Sequence, residues 1–492
     1  MKEKLKSILN NKLVVLSLIY ALLFVVGGFC KYLEVLMIPY LIFAFIYLDI
    51  ENDFYLFLIT QIFYVSRLLV RPSIVAQGIY IAVLFVKFII GCKNGKYQLY
   101  KKLLIWIGAF TVYGIFVSLF HKMAVYSLSY LMYLPFFYIV FATRKEYDVK
   151  KIFRILTYTI FLTSVLSLVT LLKPCYNFEC LKHEGTTIRF KAFFGSANTL
   201  YMVCLLALTG MSYLFFKRKI GLLEYAVDYA LLGILTLLTL SKAGIATLGV
   251  LTIINIVLYL RMDFKHHWWH ILLILVGCGL CALVFRSFVI RVLERYLKNF
   301  DEDNIWNSLF TGRIDIWKDY LKAIFSSGWT VLFGHGILSK YVYCFAQGED
   351  RAQHNLYIFL MYKFGIVGCI LLALIIREFI IASNKRAPKF INYLPLIYFL
   401  ILGMCDNAFM YTHFYILVAM ALFDTDQKSS TISKESKLNN CKAEDKINVE
   451  TSNSEHLDST LKTDNTNINQ KTKENIKQTD NNGTITYQDG NN

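Results

Sequence analysis

"LVVLSLIYALLFVVGGF", residues 13–29, runs for seventeen residues without a charge. At about 1.5 Å per residue, a helix of that length approaches the roughly 30 Å hydrocarbon core of a bilayer. The stretch does not alternate polar with apolar residues, which excludes a barrel strand and leaves a membrane-crossing helix. Runs of the same character recur outward to about residue 423. The 492-residue chain is 57% hydrophobic and 16% aromatic with only 6 prolines, and its mean hydropathy is +0.50. A soluble domain has no use for so much apolar surface, so the expected fold class is all-α, a polytopic integral membrane protein.

Lys2, Lys4, Lys6 and Lys12 precede the first run. No small-residue cleavage site follows it, which favours a retained anchor over a removed signal. Apolar runs bounded by turns and charges predict about fourteen spans, within a range of 12–14. They lie near residues 13–29, 32–48, 54–70, 73–91, 103–120, 124–142 and 152–172, then 195–216, 222–240, 243–260, 269–288, 354–376, 391–404 and 407–423. The resulting divisions are N-terminal spans over 1–172, a loop at 173–194, central spans over 195–288, a long loop at 289–353, C-terminal spans over 354–423 and a polar tail at 424–492. The tail is too poor in apolar residues to offset its chain entropy and is expected to be disordered.

Lysine and arginine bias in the loops orients these spans. Lys93, Lys96, Lys101, Lys102, Arg144, Lys145, Lys150 and Lys151 fall in one set of loops with the N-terminal lysines, whereas the alternate short loops carry few basic residues. Both termini are therefore expected in the cytoplasm, with the 173–194 and 289–353 loops outside. In the long loop, "SFVIRVLERYLKNF" places Arg291, Arg295 and Lys298 on one face, as suits an interfacial helix. "RIDIWKDYLKAIF" then predicts an amphipathic helix burying Ile316, Trp317, Tyr320 and Leu321.

The net charge of +17 is accounted for by cytoplasmic loop residues and calls for no nucleic-acid partner. The chain has no phosphate-binding GxxxxGK[ST] loop, no nucleophile elbow and no HExxH zinc helix. Asp301-Glu302-Asp303 has DxD spacing but falls in an outer loop, where nucleotide sugars are absent, and is expected to be a solvated turn. Cys278 and Cys281 sit inside an apolar run and suit packing. Cys175 and Cys180, in a polar loop, could pair. No metal and no cofactor is expected.

The groups left to carry chemistry are on the outer loops: Arg189, Lys191, Arg313, His335 and His354, with Asn355 beside the last. Each has a bland alternative. Arginines at the membrane border snorkel to headgroups, a loop histidine is commonly solvated, and His354 could simply open a helix capped by Asn355. Together, the order "FFGSAN", "SKAG", "TGRIDIW", "LFGHGI" and "HNLYIFLMYKFGIVG" resembles the bacterial O-antigen ligase and polymerase family, the Wzy and WaaL type of lipid-linked glycan transferases. The resemblance covers about residues 185–375.

That resemblance implies a GT-C-like membrane fold and an extracytoplasmic active site. It implies metal-independent, inverting transfer of an undecaprenyl-diphosphate-linked oligosaccharide to an acceptor hydroxyl. At the matching positions His354 would take the acceptor proton and Arg313 would meet the diphosphate. Arg189, Lys191, His335, Asn355 and Lys363 would contact substrate. Expected partners are membrane lipid, the lipid-linked oligosaccharide and a chain-length regulator or flippase. The sequence departs from the family pattern at Lys242, where an arginine is usual, at Ala192, where a glycine is usual, and at Lys363, where an acidic residue is expected. A lysine so deep in a span must face protein or water, and a partner charge or a polar cavity is expected there. Two other readings stay open: a ligase acting on a terminal acceptor, and a transporter or lipid flippase, for which Lys363 is the main argument.

Overall fold

The computed structural model describes residues 11–29, 31–63, 72–120, 129–172, 179–184, 187–262, 312–345, 348–383 and 394–405, together with Arg286, Ile290, Glu294 and Ile391. The chain divides into the units Met1–Asp426 and Gln427–Asn492, and every described residue is in the first. The expected tail, the expected span at 269–288 apart from Arg286, the expected span at 407–423, and the Arg291 helix face lie outside the described residues.

The described chain is mostly helical. It begins with α1 (Lys12–Phe29), a 3-10 turn (Lys31–Leu36), α2 (Met37–Tyr47), α3 (Ile50–Ile62), α4 (Pro72–Lys93), α5 (Lys101–Ser118), α6 (Ser129–Ala142) and α7 (Val149–Ser167). A short hairpin of β1 (Leu181–Glu184) and β2 (Thr187–Phe190) leads to α8 (Ala197–Phe216), α9 (Leu222–Leu238) and α10 (Lys242–Met262). The segment before the next long helix holds α11 (Arg313–Ile324), α12 (Gly328–Phe333), β3 (Val342–Cys344) and β4 (Glu349–Arg351), and is followed by α13 (Leu356–Ser383) and α14 (Leu394–Cys405). Both hairpins are antiparallel, with Lys182 opposite Arg189 in the first and Val342 opposite Arg351 in the second. Strands this short leave no readable periodicity, and the sequence did not lead us to expect them.

Among the described residues six helices are long and apolar enough to cross a membrane. The expected count of about fourteen is not confirmed by these six. The corner between α2 and α3 shows one reason. α2 is only 11 residues long, about 16 Å, and the chain turns at Asp49, whose carboxylate accepts the Asn52 amide at 2.8 Å and caps α3. Lys87 on α4 donates to the Phe45 and Leu48 carbonyls at the end of α2 and pairs with the buried Asp53 of α3. This fixes the corner against a third helix.

α8 is the axis of the fold. Its whole apolar window is buried, consistent with hydrophobic residues all round, and it packs against α7, α9, α10 and α14. α4 and α5 are different, leaving Phe85, Ile90, Ile105 and Val112 exposed. Outward apolar faces of this kind suit lipid. Phe193, just before α8, packs edge-on to Phe24 with ring centres 5.3 Å apart and also lies against Phe63. The first helices thus grip the segment that leads into α8.

Candidate active site

Arg189, on β2, is buried. Its Nε donates to the Thr239 carbonyl at 2.8 Å and its Nη2 donates to Asn198 Oδ1 at 3.0 Å. Thr239 caps the C-terminus of α9, so the guanidinium satisfies a carbonyl that the helix itself leaves unpaired and sits at the negative end of its dipole. Ser241 Oγ reaches the same Asn198 oxygen at 3.3 Å. "RFKAFF", "GSAN" and "LSKAG" are therefore one hydrogen-bonded cluster. Lys191 extends the β1–β2 hairpin by donating its amide to the Cys180 carbonyl at 2.9 Å. Ser196 closes the turn into α8 by accepting the Thr199 amide at 3.1 Å. Cys180 is buried with a free thiol, and Cys175 lies outside the described residues.

The second cluster is built on α11. Gly312, at φ 75° and ψ 5°, turns the chain into the helix, a conformation that glycine adopts without steric cost. Arg313 is the first helical residue. One turn on, Trp317 Nε1 donates to the Gln353 carbonyl at 2.7 Å. The next turn presents Tyr320, which donates to the Arg351 carbonyl at 2.7 Å and accepts the Val342 amide at 3.2 Å. Burial pushes the Tyr320 phenol well above its ordinary pKa. Burial also pushes the Cys344 thiol up, with Asp319 adding to the effect. Ile316, Tyr320 and Ile324 are buried as the periodicity of α11 requires, and Leu321, expected inside, is exposed. Trp317, also expected inside, is half-buried, so the buried face is narrower than the sequence pattern implies, and β3 and Tyr362 complete this small core.

His354 follows directly, at φ 46°. Asn355 Oδ1 accepts the Tyr357 and Ile358 amides at 2.9 and 3.1 Å, so it caps α13. Its Nδ2 reaches the Met404 carbonyl on α14 at 3.4 Å. Among the described residues the non-glycine positions with positive φ are Ala192, Arg218, Leu240 and His354. Three of the four border "FFGSAN", "SKAG" and "HN". Such backbone is held only where its surroundings over-determine it, and it gathers at functional sites.

"LFGHGI" docks edge-on into a break in α13. Gly365 takes φ 56° and ψ −167°, which interrupts the helix and releases the carbonyls of Tyr362 and Lys363. They accept the His335 and Gly336 amides at 2.8 and 2.9 Å. The two backbones approach so closely that a Cβ on Gly365 would fall 2.5 Å from the Gly334 nitrogen. Tyr113 of α5 seals the crossing, with its hydroxyl 2.9 Å from the Phe333 carbonyl and 2.8 Å from that of Phe364. The His335 ring stacks on Tyr362 at 4.4 Å.

Lys363 is almost completely buried. The helix starts at Leu356, so Lys363 lies about 10 Å along it. Its Nζ donates to the Ser339 carbonyl and meets Ser339 Oγ at 3.1 Å. Among the described residues no carboxylate pairs with it. The described contacts thus gather Arg189 with Asn198, Thr239 and Ser241, and through Trp317 they join the helix that Arg313 opens to the backbone before His354. α14 packs against both α8 and α13. Asn198, Ser241, Gln353 and Ser339 carried no assignment from sequence. The first two lie within the quoted family segments, whereas nothing in the sequence marks Ser339.

Residues 229–373 match the family model Wzy_C, described as O-antigen ligase. The match supports the resemblance of that stretch to the O-antigen ligase family. The matched stretch runs from within α9 to within α13 and includes "SKAG", "GRIDIW", "GHG" and "HN". Arg189 and Lys191 lie outside the match, but Arg189 is bonded into it through Thr239. No curated protein matches the chain.

Proposed function

We propose that this membrane protein polymerises a surface polysaccharide, transferring an undecaprenyl-diphosphate-linked oligosaccharide to an acceptor sugar hydroxyl on the outer face of the cytoplasmic membrane. The observation that carries the reading is the Trp317–Gln353 hydrogen bond of 2.7 Å, which fastens the helix opened by Arg313 to the residue before His354. In the proposed step the acceptor oxygen attacks the anomeric carbon as His354 takes its proton. The bond from carbon to phosphate oxygen breaks, and its electron pair leaves with the diphosphate. A diphosphate is a stable anion and needs positive charge more than a proton. Arg313 supplies that charge in bidentate geometry, and Arg189 with Lys191 supports the same anion. Attack opposite the leaving group inverts the anomeric centre.

Lys363, the main argument for a transporter, is committed to Ser339, which supports the enzymatic reading. The test is transfer in proteoliposomes without an ion gradient, using the lipid-linked oligosaccharide fraction from a strain lacking this protein. A ladder of products is expected. One fixed-size product would favour ligation to a terminal acceptor, and full activity in both His354→Ala and Arg313→Ala would overturn the site.

A further inference from the structure

Gln353 has no part in the proposed chemistry, yet its side chain is the most anomalous in the segment before α13. It is fully buried, and neither Oε1 nor Nε2 has a hydrogen-bond partner. Among the described residues no other side chain has two such atoms. Burying an amide without partners is costly, and an apolar side chain of similar size would fill the space without that cost.

The location of this amide matters as much as its state. Trp317 holds the Gln353 carbonyl at 2.7 Å and Tyr320 holds that of Arg351 at 2.7 Å. Gln353 is therefore adjacent in the chain to His354, and its backbone is tied to α11 one turn from Arg313. We propose that the Gln353 carboxamide is a sugar-binding group, donating through Nε2 to one hydroxyl and accepting at Oε1 from its neighbour on the pyranose that reacts. Adjacent ring hydroxyls can each donate or accept, and a carboxamide presents one donor beside one acceptor in a plane. In this proposal the amide meets the sugar through a turn of the Gln353 side chain, while its backbone, outside helix and strand, stays held by Trp317. The inference rests on the transfer reading above, because it takes the sugar to be that of the lipid-linked donor or acceptor.

The experiment compares the full-length wild type with Gln353→Met, in detergent for melting and in proteoliposomes for transfer. The probes are the extracted lipid-linked oligosaccharide fraction and undecaprenyl diphosphate carrying no sugar. Gln353→Met is expected to melt at the wild-type temperature or above, because it removes two unsatisfied polar atoms. Its kcat/KM is expected to fall at least tenfold, mostly through KM. The oligosaccharide fraction should raise the melting temperature of the wild type more than that of the variant, and sugar-free diphosphate should protect both equally. Unchanged kcat/KM in the variant overturns the inference while leaving transfer intact, and so does lost activity accompanied by a matching loss of thermal stability. A wild type that is protected by the fraction but transfers nothing overturns the transfer reading alone. A wild type neither protected nor active overturns both.

Discussion

At the residue scale, His354 and Arg313 bear the proposed chemistry and Lys363 bears on the fold. His354→Ala is expected to lower transfer by roughly 10²- to 10⁴-fold, the usual contribution of a positioned general base, with protein in the membrane unchanged. Arg313→Lys should recover only part of what Arg313→Ala loses, because an ammonium cannot form the two parallel bonds of a guanidinium; a single-turnover assay separates them. Lys363→Met leaves the buried Ser339 carbonyl without its lysine donor and is expected to cost about 1–3 kcal/mol, read as a lower melting temperature. Activity per folded molecule should stay near that of the wild type. Sequence singled out His354, Arg313 and Arg189 because their types suit proton transfer and anion binding. It also offered Asn355 as a helix cap, as the structure has it, but it could not tell that Lys363 reaches back to a loop serine, because that depends on which backbone groups the fold leaves unpaired.

At the element scale the crossing of "FGHGI" with α13 decides stability. Gly365→Ala places a side chain at positive φ and 2.5 Å from backbone atoms of Gly334 and Leu332, which cannot yield as a side chain can. A cost on the order of 3 kcal/mol or more is expected, measurable as loss of folded protein in detergent. Gly108→Ala on α5 is the control, since nothing lies within 4 Å of the added atom; it should be neutral or stabilise by roughly 0.5–1 kcal/mol. Apolar periodicity made helices such as α4, α8 and α10 legible. It failed at the length of α2, where a 3-10 turn takes up the first part of the expected span and leaves a helix of 11 residues, and at Gly365, where glycine inside an apolar run looks like any other small residue.

At the scale of the whole molecule, α8 joins the N-terminal helices to the stretch that matches the family model, and Phe193, just before α8, packs against α1. Phe193→Ala is expected to cost about 3–5 kcal/mol by opening a cavity against Phe24 and Phe63, seen as a lower melting temperature. The proposed orientation places Lys322 outside and Lys102 inside. In a cysteine-reduced background, an impermeant maleimide should label Lys322→Cys but not Lys102→Cys in intact cells. Labelling of the reverse pattern would invert the topology. Native Cys344 should label slowly at neutral pH, because a thiol whose pKa is pushed up carries less thiolate. The docking of residues 334–336 onto α13 also imposes an order in time. The segment with Gly334 and Gly336 leaves the ribosome about thirty residues before the Gly365 break that receives it. Until α13 has been made, the amides of His335 and Gly336 can bond only to water or to transient neighbours. Completion of the segment before α13 is thus a late event in biogenesis, and a chain truncated before α13 would present "LFGHGI" with no helix to receive it.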